Sequence, residues 1–512
     1  MNSDESGVFV DCESPNLQLS VDEPFLDELY KYIPPPIPLI PQNKYKEVPM
    51  TEFKYDEKTG KTLKGLNDKN EEQGLVSNYL NDSNQIIDLQ SAVDENAIVY
   101  QRDPTKRGIS CIYCKVKLDS LSTLPKFELK PVPLSQKSDL SFESKFESGN
   151  LGLVLKKSEN EYDMFMQTDI NTKGHTQWFY FKVQNNQLKT VKFNILNFSK
   201  NDSLFNYGME ICIHSEKHYH KTKTQWFRGG KEISYFANNI KRNSKGGTYY
   251  TLTFTYEFLY ELDTVSFAYC YPYTYSKLMK ELDLLEINSS EIVSRMTLCL
   301  SICERRCEVI TITAPGSVEE IKKRKGVVLS ARVHPGESVA SWMMKGVLEF
   351  LTSKSKEAKT LREKYVFKIL PMLNPDGVYF GNYRCGLAGC DLNRNWKSPS
   401  KILHPTIYAS KKLIKSFCKE RTVEFICDFH GHSKRKNIFM YGCNIQESPE
   451  ITRCIPYIIS KSSSYFFYPY CSFRMQKSKE ATMRISLFKE TKIPLIYTLE
   501  ASFFGGDYVK HI

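Results

Sequence analysis

A chain of 512 residues is longer than one ordinary core, so two or three domains are expected. Its 41% hydrophobic and 25% charged residues are those of a soluble globular protein, and with no apolar run of 18 residues no membrane-spanning helix is expected. A formal charge of +11 suits an acidic partner (nucleic acid, anionic membrane or acidic polypeptide) without choosing among them, and no nucleic-acid motif is present.

The start, MNSDESGVFVDCESPN, lacks the basic and apolar regions of a signal peptide, so a cytosolic location is expected. The 15 cysteines fit that reading: their number is odd and they scatter through apolar segments as buried free thiols. Cys111 and Cys114 form the only CxxC and read as strand residues.

Residues 1–95 read as a poorly ordered or extended segment containing the proline cluster IPPPIPLIPQ, which favours polyproline II. Residues 96–285 hold short aromatic and β-branched runs broken by turn residues, among them EYDMFMQTDI, TQWFYFKVQN, TVKFNILNFS and TYYTLTFTYEF. Several alternate with period two, which predicts an all-β sandwich. Residues 276–306 have helical spacing, with Cys299, Cys303 and Cys307 on one buried helix face. Residues 286–512 form the second domain. There strands (CEVITIT, GVVLSARV, VFKILPML, VEFICDF, PLIYTLE) alternate with helices (SVASWMMKGVLEFLTS, HPTIYASKKLIKSFCKE). That rhythm predicts an α/β domain with a mixed, mostly parallel sheet and helices on both faces.

Sites in open α/β sheets form beyond the carboxyl ends of strands. His334 ends GVVLSARV with Glu337 in the following turn, Asn374 ends FKILPML, His430 ends VEFICDF and Glu500 ends PLIYTL. Taken singly, each is an ordinary strand-end or ion-pair residue. Together they offer two histidines and a carboxylate, a common set for catalytic zinc, and a second carboxylate for general-base work. The segment GNYRCGLAGCDLNRNW adds Arg384 and Arg394, whose planar guanidinium forks suit a peptide carboxylate, and Asn393, whose amide can donate alongside. Leu392 and Trp396 indicate that this loop packs down onto the domain.

HPGE, NPDGVYFGNYRCGLAGCDLNRNW, FHGHSKRKNIFMYG and YTLEASFFG resemble the successive motifs of the zinc carboxypeptidases, and specifically the cytosolic carboxypeptidases that remove glutamates from tubulin. FESGNL, HTQWFYFKV, FNYGM, GGTYYTLTF and YPYTYSKL are similar to that family's own β-sandwich domain, and VYQRDPTK leans toward the subgroup called carboxypeptidases 2 and 3. The resemblance spans about residues 95 to 508. It implies one zinc ion per chain, held by His334, Glu337 and His430, with His432 structural or behind the ligands. It implies that Glu500 is the general base and acid, that Arg384 polarises the scissile carbonyl, and that Asn393 and Arg394 bind the substrate's terminal carboxylate. Arg484, in QKSKEATMRISLFKE, matches an arginine near the side-chain pocket that suits an acidic residue, with Lys477 and Lys479 adding positive field. Tubulin tails or other glutamate-rich polypeptides are the implied partners of a monomer in the cytoplasm, on the cytoskeleton or at a cilium.

The chain departs from the pattern in two places. Ala481 and Met483 replace the usual glycines, so a stiffer or differently shaped loop is expected. The chain also stops at Ile512, twelve residues after Glu500, so the catalytic domain is expected to lack its last helix. Two other readings compete: a zinc amidohydrolase of N-acyl amino acids, and a catalytically impaired microtubule-binding protein. The intact site residues argue against the second, and the Asn393/Arg394 clamp argues against the first.

Overall fold

The computed structural model describes residues 97–102, 139–172, 174–242 and 247–506, together with a two-stranded antiparallel ladder, Lys54–Asp56 (β1) and Lys61–Leu63 (β2). The rest of residues 1–95, the proline cluster, the Cys111/Cys114 pair and the second half of VYQRDPTK lie outside the described residues.

The period-two runs form two facing sheets. One has the order β10-β9-β13-β7-β4 and the other β11-β12-β8-β6-β5-β3. Their strands are Ile98–Gln101 (β3), Leu140–Glu143 (β4), Leu151–Ser158 (β5), Glu161–Met166 (β6), Tyr180–Asn185 (β7), Thr190–Phe198 (β8), Ile211–Ser215 (β9), Phe227–Gly229 (β10), Lys231–Lys241 (β11), Thr248–Glu257 (β12) and Thr264–Ala268 (β13). Alternate residues of β7 are buried, and Phe181, Phe193, Phe254 and Phe267 pack fully inside with ring centroids 5.4–6.5 Å apart. A short helix, Glu216–Thr222 (α1), follows β9.

Helix Tyr275–Asn288 (α2) leads to a seven-stranded mixed sheet of order β14-β15-β17-β16-β18-β20-β19. Its strands are Val293–Leu300 (β14), Arg306–Ile312 (β15), Lys325–Ala331 (β16), Tyr365–Leu370 (β17), Val423–His432 (β18), Ile438–Tyr441 (β19) and Leu495–Ser502 (β20). The four central strands, β17-β16-β18-β20, are parallel, and the outer ladders are antiparallel. The connections carry helices Val318–Lys323 (α3), Ser338–Thr352 (α4), Lys356–Lys364 (α5), Pro375–Phe380 (α6), Pro405–Glu420 (α7), Pro449–Ser462 (α8) and Met483–Thr491 (α9).

Both sheet faces are covered. Val327, Leu329 and Ala331 pack with Ala340, Met344 and Leu348 of α4. On the opposite face, a Cβ at Gly326 would come within 2.6 Å of Phe417 in α7, and the Ser330 hydroxyl meets the Met483 sulfur at the start of α9.

One expected element is corrected. The helix stops at Asn288, and Cys299 and Cys307 lie opposite each other on β14 and β15, in an antiparallel hairpin. The four-residue recurrence of cysteines mimicked a helical period across a strand, a turn and the next strand. Cross-strand pairing, not a shared helix face, brings Cys299 and Cys307 together.

The sandwich and the α/β domain share a core. Tyr383 and Phe503 of the second domain are buried in the sandwich's aromatic cluster, and the Arg228 guanidinium donates to the Phe503 carbonyl at 2.6 Å. The tightest tie is Asp169, which follows β6. Its buried carboxylate accepts the backbone N–H groups of Tyr383, Arg384 and Cys385 at 2.5, 2.7 and 2.7 Å. A buried donor left without an acceptor costs about 1–3 kcal/mol. Asp169→Ala is therefore expected to lower unfolding stability by at least about 2 kcal/mol in denaturant titrations and to displace the Arg384 loop. A change within about 0.5 kcal/mol, the scatter of ordinary surface substitutions, would contradict this role.

His404, just before α7, is buried and accepts the Ser400 N–H on Nδ1 at 3.1 Å. Burial pushes its imidazole down to about 4, against about 6.5 in an unfolded chain. Between these values the unfolded chain holds a proton that the folded chain does not, so this stability is present above pH 6.5 and lost as pH falls toward 4. His404→Gln, which keeps an acceptor, is expected to lose less stability than the parent between pH 7 and 4.5. Equal slopes would refute the assignment.

Candidate active site

The turn after β16 is built for close approach. Arg332 has a left-handed backbone (φ 59°), and its buried guanidinium donates to the Pro335 carbonyl (2.7 Å), the Tyr273 carbonyl (3.0 Å) and the Ser341 hydroxyl (2.8 Å). Gly336 donates to the Tyr383 carbonyl at 2.7 Å, and a Cβ there would come within 2.8 Å of the Tyr383 ring. Only glycine fits. Glu337 occupies the cap position of α4 yet makes no capping bond with its side chain. That carboxylate turns instead toward the histidines.

His334 and His430 converge on Glu337. Nδ1 of His334 lies 2.9 Å from Oε1, and Nδ1 of His430 lies 2.9 Å from Oε2. The Gly431 N–H also donates to Oε2 at 2.9 Å. A Cβ at Gly431 would meet Val339 and Phe503 at 2.7 and 2.8 Å, so this strand end too requires glycine. The other ring nitrogens are held by carboxylates: His334 Nε2 by Asp391 at 3.0 Å and His430 Nε2 by Asp428 at 2.8 Å. An imidazole that gives Nε2–H to a carboxylate presents its Nδ1 lone pair to a metal and binds it more strongly. One ligand atom from each of His334, Glu337 and His430 lies within 4.8 Å of the others, so the three could hold a metal ion. Burial works against the Glu337 charge, but His334 and His430 outweigh it and hold the carboxyl well below its usual range. The donor set fits a divalent ion such as zinc.

Glu500 stands opposite His430 in the β18–β20 register, facing the same cavity. Burial chiefly, with Glu337 and Asp428 adding to it, pushes its carboxyl up to about 7. That value suits a group that takes and returns a proton near neutrality.

The cavity, of about 370 Å³, has walls rich in cations. Arg384 lines it and is anchored to Asp391 at 2.7–2.9 Å. Asn393 is buried. Its Oδ1 accepts the Met483 N–H at 2.9 Å, which fixes Nδ2 on the side of His430, at 3.2 Å. Arg394 donates to the Asn393 carbonyl at 2.9 Å. Arg484 is buried and lines the cavity, donating to the Gly442 carbonyl and to Cys443 Sγ at 3.5 Å. Lys479 reaches the cavity, whereas Lys477 is exposed at the surface beside it. Met483 is not a loop residue: it opens α9, with its side chain buried against Ser330. His432 lines the cavity, and its Nδ1 accepts the N–H groups of Lys434 and Arg435 at 3.3 and 3.0 Å. Asn374 ties the β16 turn to α6, donating to the Val333 carbonyl at 3.2 Å and accepting the Gly377 N–H at 3.0 Å. It is not in the cavity wall. Trp396 and Leu392 are buried, as the packing-down of the loop requires.

Three contributors have no place in the sequence reading. Asp428 stands two residues before His430 on one strand, and period two alone puts both on one face. Asp391 sits inside the loop already singled out. Lys200 comes from the sandwich, just past β8, and nothing near it in sequence marks it. Its ammonium donates to the Tyr383 hydroxyl and to Ser433 Oγ at 2.6 Å. Burial, then the Arg384 charge, pushes it down to about 8.

Residues 142–270 match the family described as "Cytosolic carboxypeptidase N-terminal domain", and residues 278–458 match "Zinc carboxypeptidase". Glu500 and Arg484 lie beyond that second match, so strand register and cavity geometry place them. The chain is 43% identical over 406 residues to cytosolic carboxypeptidase 1 of Gallus gallus, covering 73% of this chain and 33% of the relative. It is 43% identical over 377 residues to cytosolic carboxypeptidase 2 of Xenopus tropicalis (72% and 39%) and over 410 residues to cytosolic carboxypeptidase 4 of Homo sapiens (73% and 37%). It thus spans about a third of the length of the curated relatives it matches, and these figures do not separate the numbered subgroups. The fold is similar to that of a metallo-carboxypeptidase from Burkholderia cenocepacia, with a TM-score of 0.58 at 19% identity, covering 71% of this chain and 90% of that one. A metallo-carboxypeptidase from Pseudomonas aeruginosa gives 0.57 at 22% identity, with 71% and 90% covered. With its sandwich and its α/β domain matched in order, the chain belongs to the cytosolic carboxypeptidases of the zinc carboxypeptidase family.

Proposed function

We propose that this chain is a zinc-dependent metallocarboxypeptidase that removes C-terminal glutamates from polypeptides. Tubulin tails or polyglutamate side chains are its substrates, in the cytoplasm on microtubules, including those of cilia. The observation that carries this reading is the juxtaposition of a two-histidine, one-carboxylate seat with Glu500 inside a cavity walled by Arg384, Arg394, Lys479 and Arg484.

Zinc bound by His334, Glu337 and His430 would supply Lewis acidity, activating water and polarising a carbonyl. Glu500 takes the proton from the attacking water and returns it to the leaving amine. Arg384, held by Asp391, faces the oxygen on which negative charge develops. Asn393 and Arg394 bind the terminal carboxylate. An internal peptide bond offers them no such partner, so the enzyme works from the chain end. Arg484 has no ion-pair partner among the described residues and lies on the same wall as Asn393, through Met483. It suits the carboxylate of a terminal glutamate side chain.

Mass spectrometry of polyglutamylated tubulin before and after incubation with the zinc-loaded protein tests this directly. Tails shortened by whole glutamates are expected. Glu500→Gln is expected to keep its zinc while losing about 10²-fold or more in rate. Unchanged tails, or a glutamine variant as fast as the parent, would reject the proposal.

A further inference from the structure

Among the described residues, Lys200 is the one cavity cation contributed by the sandwich. Its backbone is pinned there, with the Tyr235 hydroxyl donating to the Lys200 carbonyl at 2.5 Å and Arg242 donating to the neighbouring Ser199 carbonyl at 3.0 Å. The side chain crosses into the α/β domain, where its ammonium stands 4.7 Å from the Tyr383 ring centre and donates to two neutral oxygens, on Tyr383 and Ser433. An ammonium has three donors. Among the described residues the third has no partner, and no carboxylate pairs with this charge. A partly buried cation beside Arg384, on which Glu337 and Glu500 act only from beyond ion-pair distance, is costly unless a ligand brings an anion into contact with it.

Its position says which part of a ligand. Asn393, Arg394 and Arg484 belong to the wall formed by the β17–α7 loop and the start of α9: Asn393 and Arg394 meet each other and Asp391, Asn393 also meets Met483 and His430, and Arg484 meets Gly442 and Cys443. Lys200 shares none of these. It meets Tyr383, which backs onto Gly336, and Ser433, which follows His430 by three residues. The two cationic walls therefore flank the His334–Glu337–His430 seat.

We propose that Lys200 is a substrate-positioning residue whose ammonium pairs with the side-chain carboxylate of the residue just before the scissile bond, so that the site selects two acidic residues in succession. This inference rests on the carboxypeptidase reading, in which Asn393 and Arg394 take the terminal carboxylate and the upstream residue must pass the opposite wall. The domain contact itself does not need Lys200, because Lys434 also bridges the domains, donating to Asn201 at 2.9 Å.

The test measures binding of two peptides, neutral except for their ends, Glu-Glu or Ala-Glu, to the zinc-loaded full chain carrying Glu500→Gln. The Glu-Glu peptide is expected to bind about tenfold more tightly, as a charge-assisted hydrogen bond provides. Adding Lys200→Met is expected to remove that preference, while weakening Ala-Glu binding several-fold less. Lys200→Arg is expected to retain the preference. The inference is overturned if Lys200→Met keeps the preference, if it weakens both peptides equally, or if the parent shows none. Hydrolysis by the unmutated protein is scored separately: no glutamate release from either peptide would sink the carboxypeptidase reading, while the binding comparison still decides the role of Lys200.

Discussion

The Glu337 carboxylate is the constraint on which the site is built. Its two oxygens meet two imidazoles and one backbone N–H, and each imidazole is backed by a further carboxylate, half-buried Asp391 or buried Asp428. Four buried ionisable groups and half-buried Asp391 are tolerable only as a connected set, because a buried one left unpaired would carry a desolvation penalty of several kcal/mol. The backbone is shaped to the same end. Arg332 turns the chain through a left-handed conformation, and Gly336 and Gly431 lie where a Cβ would collide with Tyr383, Val339 or Phe503. Asp428 is itself oriented by Ser330 on the adjacent strand, whose hydroxyl donates to it at 2.7 Å.

The sandwich takes part in this arrangement. Its aromatic core takes in Tyr383 and Phe503, the residues that abut the two glycines. Its Asp169 fixes the backbone at Arg384, which is in turn anchored to Asp391. A path of direct contacts thus runs from the sandwich to the ring nitrogen of His334. The β domain is for this reason a part of the site's architecture, and Lys200 extends it into the cavity.

Much of this was legible in the sequence, because the signals were local. Period-two alternation in TQWFYFKVQN marks a strand that buries Phe181 and Val183, and apolar runs ending in His334, His430 or Glu500 mark the carboxyl ends of neighbouring strands. The cysteine spacing misled, since a recurrence of four across a hairpin has the same count as a helical face. Strand β19 was hidden in the basic text following HGHS, and four residues are too few to show a period. Asp169 and Lys200 were invisible for a different reason: their partners lie about two hundred residues away, and only the packing of the two domains brings them together.

The central claim is that His334, Glu337 and His430 form a metal seat with the Nδ1 nitrogens facing inward. Anomalous X-ray diffraction at the zinc absorption edge, from crystals of the zinc-loaded chain, tests it most directly. A single strong peak is predicted, bonded to Nδ1 of both histidines and to a Glu337 oxygen at about 2.0–2.2 Å, with Asp391 and Asp428 still on the Nε2 nitrogens. A peak bonded to Nε2, a peak away from these three residues, or none at all would contradict the account.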